Sequence, residues 1–99
     1  MYARASEFHG PPEQLEEGVR YSRAAVLPSI SQIPGYKGVI GLVDWENGRA
    51  LTLTLWETEA AMRASEEEAA LLRNNIAEHI GERVAGVERF DVALFDVRP

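Results

Sequence analysis

The sequence of 99 residues contains no cysteine and a single lysine, Lys37. Without cysteine the chain cannot form a disulfide, use a thiol nucleophile or hold a metal through thiolates, and this composition is typical of the reducing cytoplasm. Its two histidines, His9 and His79, lie far apart and lack the spacing of metal ligands. We therefore predict no metal site.

Positive charge and long apolar runs are also scarce. Ten Lys and Arg residues stand against sixteen Asp and Glu residues, which gives a formal net charge of -6. We expect no nucleic-acid partner, because phosphate binding requires clustered basic residues. The chain start has no apolar stretch of signal-peptide length, and no apolar run is long enough to cross a bilayer. We therefore expect no membrane association and a cytoplasmic location.

Turn and periodicity signals divide the chain into strands and helices. No linker, repeat or low-complexity tract appears, so residues 1–99 are predicted to form a single domain. The order of elements predicts an α+β, ferredoxin-like βαββαβ fold, in which a four-stranded antiparallel sheet carries the helices on one face. The predicted strands span residues 2–8, 38–45, 49–56 and 87–97; the predicted helices span about 12–27, 59–64 and 66–80, with a bend near Ser65 and a short helical turn at 27–33.

The two central strands meet at Asn47-Gly48, which is a strong hairpin signal. A two-residue type I′ turn at these positions would pair Asp44 with Leu51, Leu42 with Leu53 and Ile40 with Leu55. One face of the hairpin is then an apolar stripe, which we expect the helices to cover.

The other face of the hairpin carries no charged residue, although an antiparallel sheet normally shows polar residues on its wet side. A chain of this size has helices for one side only, so a second copy of the chain is the simplest cover. We therefore predict a homodimer packed through its sheets; the alternative is a half-exposed sheet with scattered apolar residues. The predicted interface residues are Val39, Val43, Trp45, Thr52 and Thr54.

Several short stretches resemble small bacterial proteins of the antibiotic biosynthesis monooxygenase-like group. The resemblance covers nearly the whole chain and implies a dimeric α/β barrel, made of two ferredoxin-like protomers packed through their sheets. The stretches that carry it are Met1-Tyr2-Ala3-Arg4, Leu27-Pro28, Ile33-Pro34-Gly35-Tyr36, Leu55-Trp56-Glu57-Thr58-Glu59, Met62-Arg63-Ala64-Ser65-Glu66 and Val87-Glu88-Arg89-Phe90.

The resemblance also implies a choice between two activities. One branch of the group oxygenates aromatic polyketides without a cofactor, and another degrades haem with an Asn on the first strand and a Trp and a His on later helices. The matching positions here fall near Ser6, Ser65 and Asn75, which all depart from the haem pattern. We therefore expect no haem and no other bound cofactor.

A few polar and aromatic residues are candidates for a ligand site. His79 and Asn75 are four residues apart on the last helix, so they share a face, and His79 could act as a catalytic acid or base. Alternatively, His79 is a helix C-terminal histidine favoured by the helix dipole. Trp56 could stack on an aromatic ligand, although such residues more often anchor a core or an interface. The full set of ligand-binding candidates is Arg4, Ser6, Tyr21, Asn75 and Trp56.

Three hypotheses follow from these patterns. The first is a homodimer with an apolar pocket between sheet and helices, resembling a cofactor-independent monooxygenase that acts on an aromatic or polyketide-like small molecule. The second is a non-catalytic module that binds a small apolar or aromatic ligand, or a stress-related dimer. The third is a structural interaction protein with a filled core, which the absence of a cavity between helices and sheet would favour.

Overall fold

The computed structural model describes residues 1–99 as one sheet with helices packed on one of its faces. The antiparallel sheet has the strand order β2-β3-β1-β4. This arrangement confirms the predicted α+β, ferredoxin-like fold. No helix combines the length and the apolar character needed to cross a bilayer. The strands are β1 (Tyr2–His9), β2 (Tyr36–Asp44), β3 (Arg49–Trp56) and β4 (Arg83–Asp91).

The first helical segment is longer and less regular than the predicted helix over residues 12–27. A 3-10 turn at Pro12–Gln14 leads into α1 (Leu15–Tyr21), a π-helical turn (Ser22–Val26) and α2 (Leu27–Ile30). α2 falls within the short helical turn predicted over residues 27–33, and Pro28 lies inside it. Because proline lacks an N–H and its ring clashes with the carbonyl four residues earlier, the wider π turn before it lets the segment continue.

The second helical segment is divided at Ser65, as predicted, into α3 (Glu59–Ala64) and α4 (Glu66–Ile80). Thr58 caps α3, since its Oγ1 accepts a hydrogen bond from the Ala61 N–H at 3.0 Å. Ser65 and Glu68 have the spacing of a capping box, but the Ser65 hydroxyl does not cap α4 and donates instead to the Met62 carbonyl at 2.6 Å. Gly81 ends α4 in the left-handed conformation.

The hairpin register differs by two residues from the prediction. Asp44 pairs with Arg49, Leu42 with Leu51 and Ile40 with Leu53, so four residues form the loop instead of two. The Asp44 carboxylate accepts hydrogen bonds from the backbone N–H and side-chain amide of Asn47 at 3.3 and 2.8 Å. This Asx-type turn leaves only Gly48 with a positive φ, whereas a type I′ turn needs two such residues.

The assignment of the two sheet faces also requires correction. The helices cover the face that carries Arg4, Thr54 and Val39, which are neighbours across β1, β3 and β2. The predicted interface residues Val39, Val43, Thr52 and Thr54 therefore lie beneath the helices, and Trp45 lies in the hairpin loop outside the sheet. The hairpin residues of this face carry no charge because they face the interior of the chain, and no second copy is needed to explain their composition.

The opposite face, here called the helix-free face, is the one that the helices leave open. It carries the stripe that was expected under the helices, together with small residues of β1 and an aromatic residue of β4. Ile40, Leu42 and Phe90 on this face are 39%, 49% and 50% exposed. The apolar residues of the helix-free face are Ala3, Ala5, Ile40, Leu42, Leu51, Leu53, Leu55 and Phe90, and the charged residues Glu7 and Glu88 lie on the same face.

The last strand begins four residues before the predicted start and ends six residues before the predicted end. β1 begins at Tyr2, which pairs with Asp91, so no strand of this chain is available to pair with residues further on. The hydrogen bond from the Val92 N–H to the Met1 carbonyl, 2.9 Å long, is the last of this ladder. The apolar residues Leu94 and Phe95 follow outside the sheet and are exposed.

Gly48 is where the hairpin loop meets the chain at the end of β1. Its φ is +66°, and a Cβ atom built on it would lie 1.9 Å from the Gly10 carbonyl oxygen. We predict that Gly48→Ala lowers the free energy of unfolding by at least about 2 kcal/mol, because both the backbone conformation and the space exclude a methyl group. Urea unfolding measures this change. Gly86→Ala is the control, since a Cβ there meets nothing within 4 Å; an equal loss in both variants would contradict the prediction.

Candidate functional site

A cavity of about 360 Å³ lies between the helix-covered face of the sheet and the helices. The floor comes from alternate residues of β1, β2 and β3, which include Ser6, Val39 and Thr52, and the roof includes Val26 and Leu72. Fourteen of its 24 lining residues are hydrophobic, which is the character of small-molecule sites. The chain therefore does not have the filled core of the third hypothesis.

Arg4 is the buried charge of this site, with 1% of its surface exposed. Its Nη2 donates to the Met62 carbonyl at 2.7 Å, and to the Ser65 hydroxyl and a Glu66 carboxylate oxygen at 2.9 Å each. Its guanidinium carbon lies 5.6 Å from the centre of the Trp56 ring. The Nε and Nη1 atoms are buried without any hydrogen-bond partner.

Glu66 joins Arg4 to the last strand. Its two carboxylate oxygens accept hydrogen bonds from Arg89 at 2.9 and 2.6 Å, and Arg89 is the neighbour of Arg4 across β1 and β4. The hydrogen bonds from Arg89 and then Arg4 lower the pKa of Glu66 to about 2. Glu66 thus keeps two adjacent guanidinium groups together.

A third arginine, Arg73 of α4, lines the cavity close to this group. Its Nη1 is buried and has no hydrogen-bond partner. Burial, followed by the charge of Arg4, lowers the pKa of Arg73. One end of the cavity therefore carries more positive charge than the neighbouring protein groups neutralise.

Glu82, just after α4, supplies the only carboxylate in the lining. Its Oε2 is buried and has no partner, and burial raises the pKa of this carboxyl group. Glu82 lies beside Gly10, beyond the end of β1, whereas Arg4 lies near the start of that strand. A carboxyl group with a raised pKa is suited to exchanging a proton with a ligand.

Only two of the sequence candidates, Arg4 and Ser6, line the cavity. His79 and Asn75, which were also ligand-site candidates, are exposed, and neither lines the cavity. The His79 ring stacks on Tyr21 with a centroid distance of 4.2 Å, and its Nε2 is 3.2 Å from a Glu17 carboxylate oxygen. This contact joins α4 to α1 and leaves the cavity untouched.

Trp56 is a core residue. It is fully buried against Ile30 and Met62, and its indole N–H donates to the Thr54 hydroxyl at 3.0 Å. It does not line the cavity, so it cannot stack on a ligand there. The alternative interpretation of this tryptophan as a core anchor is the correct one.

Sequence reasoning did not single out Arg73 or Glu82. A signal existed for Arg73, because it interrupts the apolar positions of α4 at Ala69, Leu72 and Ile76, where a charge is unexpected. Glu82 follows the glycine that ends α4, a position at which a charged residue is ordinary. No group of three or more His, Cys, Asp or Glu side chains lies close enough together to hold a metal ion.

Sequence comparison identifies relatives without an assigned activity. The chain is 37% identical over 94 residues to the uncharacterised protein Rv2558 of Mycobacterium tuberculosis and 34% identical over 93 residues to Rv2557 of the same organism. These matches cover 95% and 94% of the chain but only 39% and 41% of the relatives. The chain thus spans about two fifths of their length. No family model matches the sequence.

Comparison with solved structures identifies the fold. The monooxygenase ActVA-Orf6 of Streptomyces coelicolor, solved with nanaomycin D, matches with a TM-score of 0.71 at 16% identity over 99% of this chain and 91% of that one. The cofactor-independent oxygenase SnoaB of Streptomyces nogalater matches with a TM-score of 0.65 at 14% identity, over 95% and 94% of the two chains. The chain has the antibiotic biosynthesis monooxygenase-like fold.

The same antibiotic biosynthesis monooxygenase-like fold occurs in a protein described as dimeric. This ferredoxin-like protein from an uncultured marine organism matches with a TM-score of 0.70 at 12% identity, over 99% of this chain and all of the other. The resemblance drawn from short sequence stretches is therefore confirmed at the level of the fold. At these identities the likeness concerns the fold alone.

The ion pairs of Glu66 predict a stability that depends on pH. Because the pKa of Glu66 is lowered in the folded chain to about 2, its contribution is complete above its ordinary pKa of 4.5 and is lost as the pH falls through 2. We predict that Glu66→Gln lowers the free energy of unfolding at pH 7 by about 1–2 kcal/mol, after allowance for solvent screening. This difference from the parent chain should shrink between pH 4.5 and 2.

Chemical denaturation at several pH values measures the difference in the free energy of unfolding between Glu66→Gln and the parent chain. Glu67→Gln is the matched control, an exposed neighbour on the same helix that should change the free energy of unfolding by less than about 0.5 kcal/mol. A loss in Glu66→Gln that stays constant from pH 7 to pH 2.5 would show that the carboxylate charge is not responsible.

Proposed function

We propose that this chain acts as a homodimeric, cofactor-independent monooxygenase on an aromatic or polyketide-like small molecule. The observation that carries the proposal is the largely apolar cavity between helices and sheet. Its volume of about 360 Å³ lies within the usual range for small-molecule sites, roughly 300–1,000 Å³. Proteins of the same fold that are described as a cofactor-independent oxygenase and as a monooxygenase bound to nanaomycin D support this choice.

The residues of the cavity match the needs of such a reaction. An electron-rich substrate supplies the electrons that reduce O₂, so the protein has to orient it, exclude water and accept a proton. The apolar walls of the cavity orient the substrate and exclude water. We assign proton acceptance to Glu82, because its Oε2 is buried in the lining without a partner and burial raises the pKa of the carboxyl group.

The helix-free face supports the proposed dimer. Ala3 and Leu55 of this face are buried within the chain, but Ile40, Leu42 and Phe90 leave apolar surface exposed. Burying this exposed surface against a second copy removes it from water. A protein with the same fold is described as dimeric. The interface residues proposed from the structure thus replace those predicted from the sequence.

We predict that Ile40→Lys converts the dimer to a monomer. The substitution places a charge within the proposed interface, where burying it is costly. Light scattering coupled to size-exclusion chromatography measures the mass. Leu71→Lys is the control, because Leu71 is 63% exposed on α4, away from the helix-free face, and this variant should keep the parent mass. A monomeric parent chain would refute the dimer itself.

We predict that Glu82→Gln lowers kcat by about a hundredfold or more with an oxidisable aromatic such as an anthrone, because amides do not accept the proton. Oxygen consumption and product analysis by mass spectrometry measure the turnover. His79→Ala is the control: it removes the exposed ring outside the cavity and should leave kcat within a factor of two or three. The reverse outcome, with His79 essential and Glu82 dispensable, would overturn the assignment.

A second candidate function is non-catalytic binding of a small apolar or aromatic molecule. It is favoured by the composition of the lining, which contains no His, Tyr, Lys or Cys and only one carboxylate. Under this alternative, a two-ring aromatic binds to the cavity and is recovered unchanged in the presence of O₂. Ligand binding without oxygen consumption across a panel of phenols, hydroquinones and anthrones would select it.

A further inference from the structure

The positive end of the cavity, formed by Arg4, Arg73, Arg89 and Glu66, has an excess of charge. Three guanidinium groups share one carboxylate there, although the whole chain carries a net charge of -6. Glu66 already binds Arg4 and Arg89. Arg73 forms no ion pair of its own, and the charge of Glu66 acts on it only from a distance.

The unpartnered atoms of this end are all hydrogen-bond donors. The Nη2 of Arg4 is occupied by three protein acceptors, but its Nε and Nη1 are buried without a partner, as is the Nη1 of Arg73. Buried charged donors without acceptors are costly, and native proteins rarely keep them without a reason. Both side chains line the cavity. The missing acceptor therefore has a place to bind.

We infer that the cavity takes an aromatic or polyketide-like acid whose carboxylate is bound by Arg4 and Arg73. This inference rests on the proposed function, because it assumes that the cavity is the ligand site. A carboxylate has two oxygens that match the planar fork of a guanidinium, and charge-assisted hydrogen bonds of this kind are the stronger class. Arg73 is only partly buried and has a long side chain, so its guanidinium group can move to make room for the anion.

Binding of the carboxylate at this end would also set the direction of the ligand. The positive end of the cavity lies at the level of Arg4 on β1. Glu82 lies beside Gly10, which follows Arg4 by about six residues along the direction of this strand. With a rise of about 3.3 Å per residue, the two levels are roughly 20 Å apart. An elongated acid would therefore place its apolar body along Leu72 and Ile76, with its far end toward the Glu82 carboxyl group.

The test compares two probes that differ mainly in charge, 2-naphthoate and the neutral naphthalene-2-carboxamide, by isothermal titration calorimetry on the parent chain. We expect 2-naphthoate to bind at least about tenfold more tightly than the carboxamide. Arg73→Gln should remove most of this preference while leaving the Kd of the carboxamide within a factor of about three. Arg63→Gln is the matched control, since it removes an equal charge at an exposed position outside the cavity and should keep the preference.

The outcomes separate this inference from the proposed function. Binding of neither probe would refute the cavity as a ligand site and both proposals with it. Equal binding of the two probes by the parent chain would refute the carboxylate site and leave the apolar ligand site standing. A preference that survives in Arg73→Gln would place the anion elsewhere. If Arg73→Gln does not fold, Arg73→Lys supplies the test, because lysine keeps the charge but lacks the planar fork of the guanidinium. Its preference for 2-naphthoate over the carboxamide should be smaller than that of the parent chain but still greater than one.

Discussion

The burial of one charged side chain, Arg4, organises the contact between sheet and helices. A guanidinium with 1% exposure is costly to remove from water, and three acceptors at the junction of α3 and α4 offset that cost. Ser65 is one of them, and its hydroxyl also bonds the Met62 carbonyl, which is why it does not cap α4. The bend between the helices and the position of α4 over β1 thus depend on the same group of atoms.

This arrangement divides the space between sheet and helices into a packed part and an open part. Trp56, Ile30 and Met62 fill one region beside Arg4, while the next residues along the strands, with small or short side chains such as Ser6 and Thr52, leave the cavity. The polar groups at the two ends of the cavity differ in kind: guanidinium donors at one end and a carboxyl group with a raised pKa at the other. An apolar cavity with different polar groups at its two ends is suited to orienting a small molecule.

The candidate site was only partly predictable from the sequence, for a physical reason. Arg4 and Ser6 were among the ligand-binding candidates, and alternation along β1 puts both on the inner face of the sheet, where they line the cavity. His79 and Asn75 were correctly placed on a common side of α4, but helical spacing does not say which side meets the sheet. Arg73 and Glu82 become site residues only through the cavity that they line, which joins elements distant in sequence.

The sequence by itself determined the order of elements, most of their bounds and the ferredoxin-like fold, because turn residues, caps and hydrophobic periodicity are local signals. It also determined that both hairpin faces are largely uncharged. Which face the helices cover was decided only by tertiary structure, since two apolar faces satisfy the same pattern and Arg4 selects between them through contacts 58 to 62 residues away. The hairpin register was likewise decided by the bond between Asp44 and Asn47, which extends the loop to four residues.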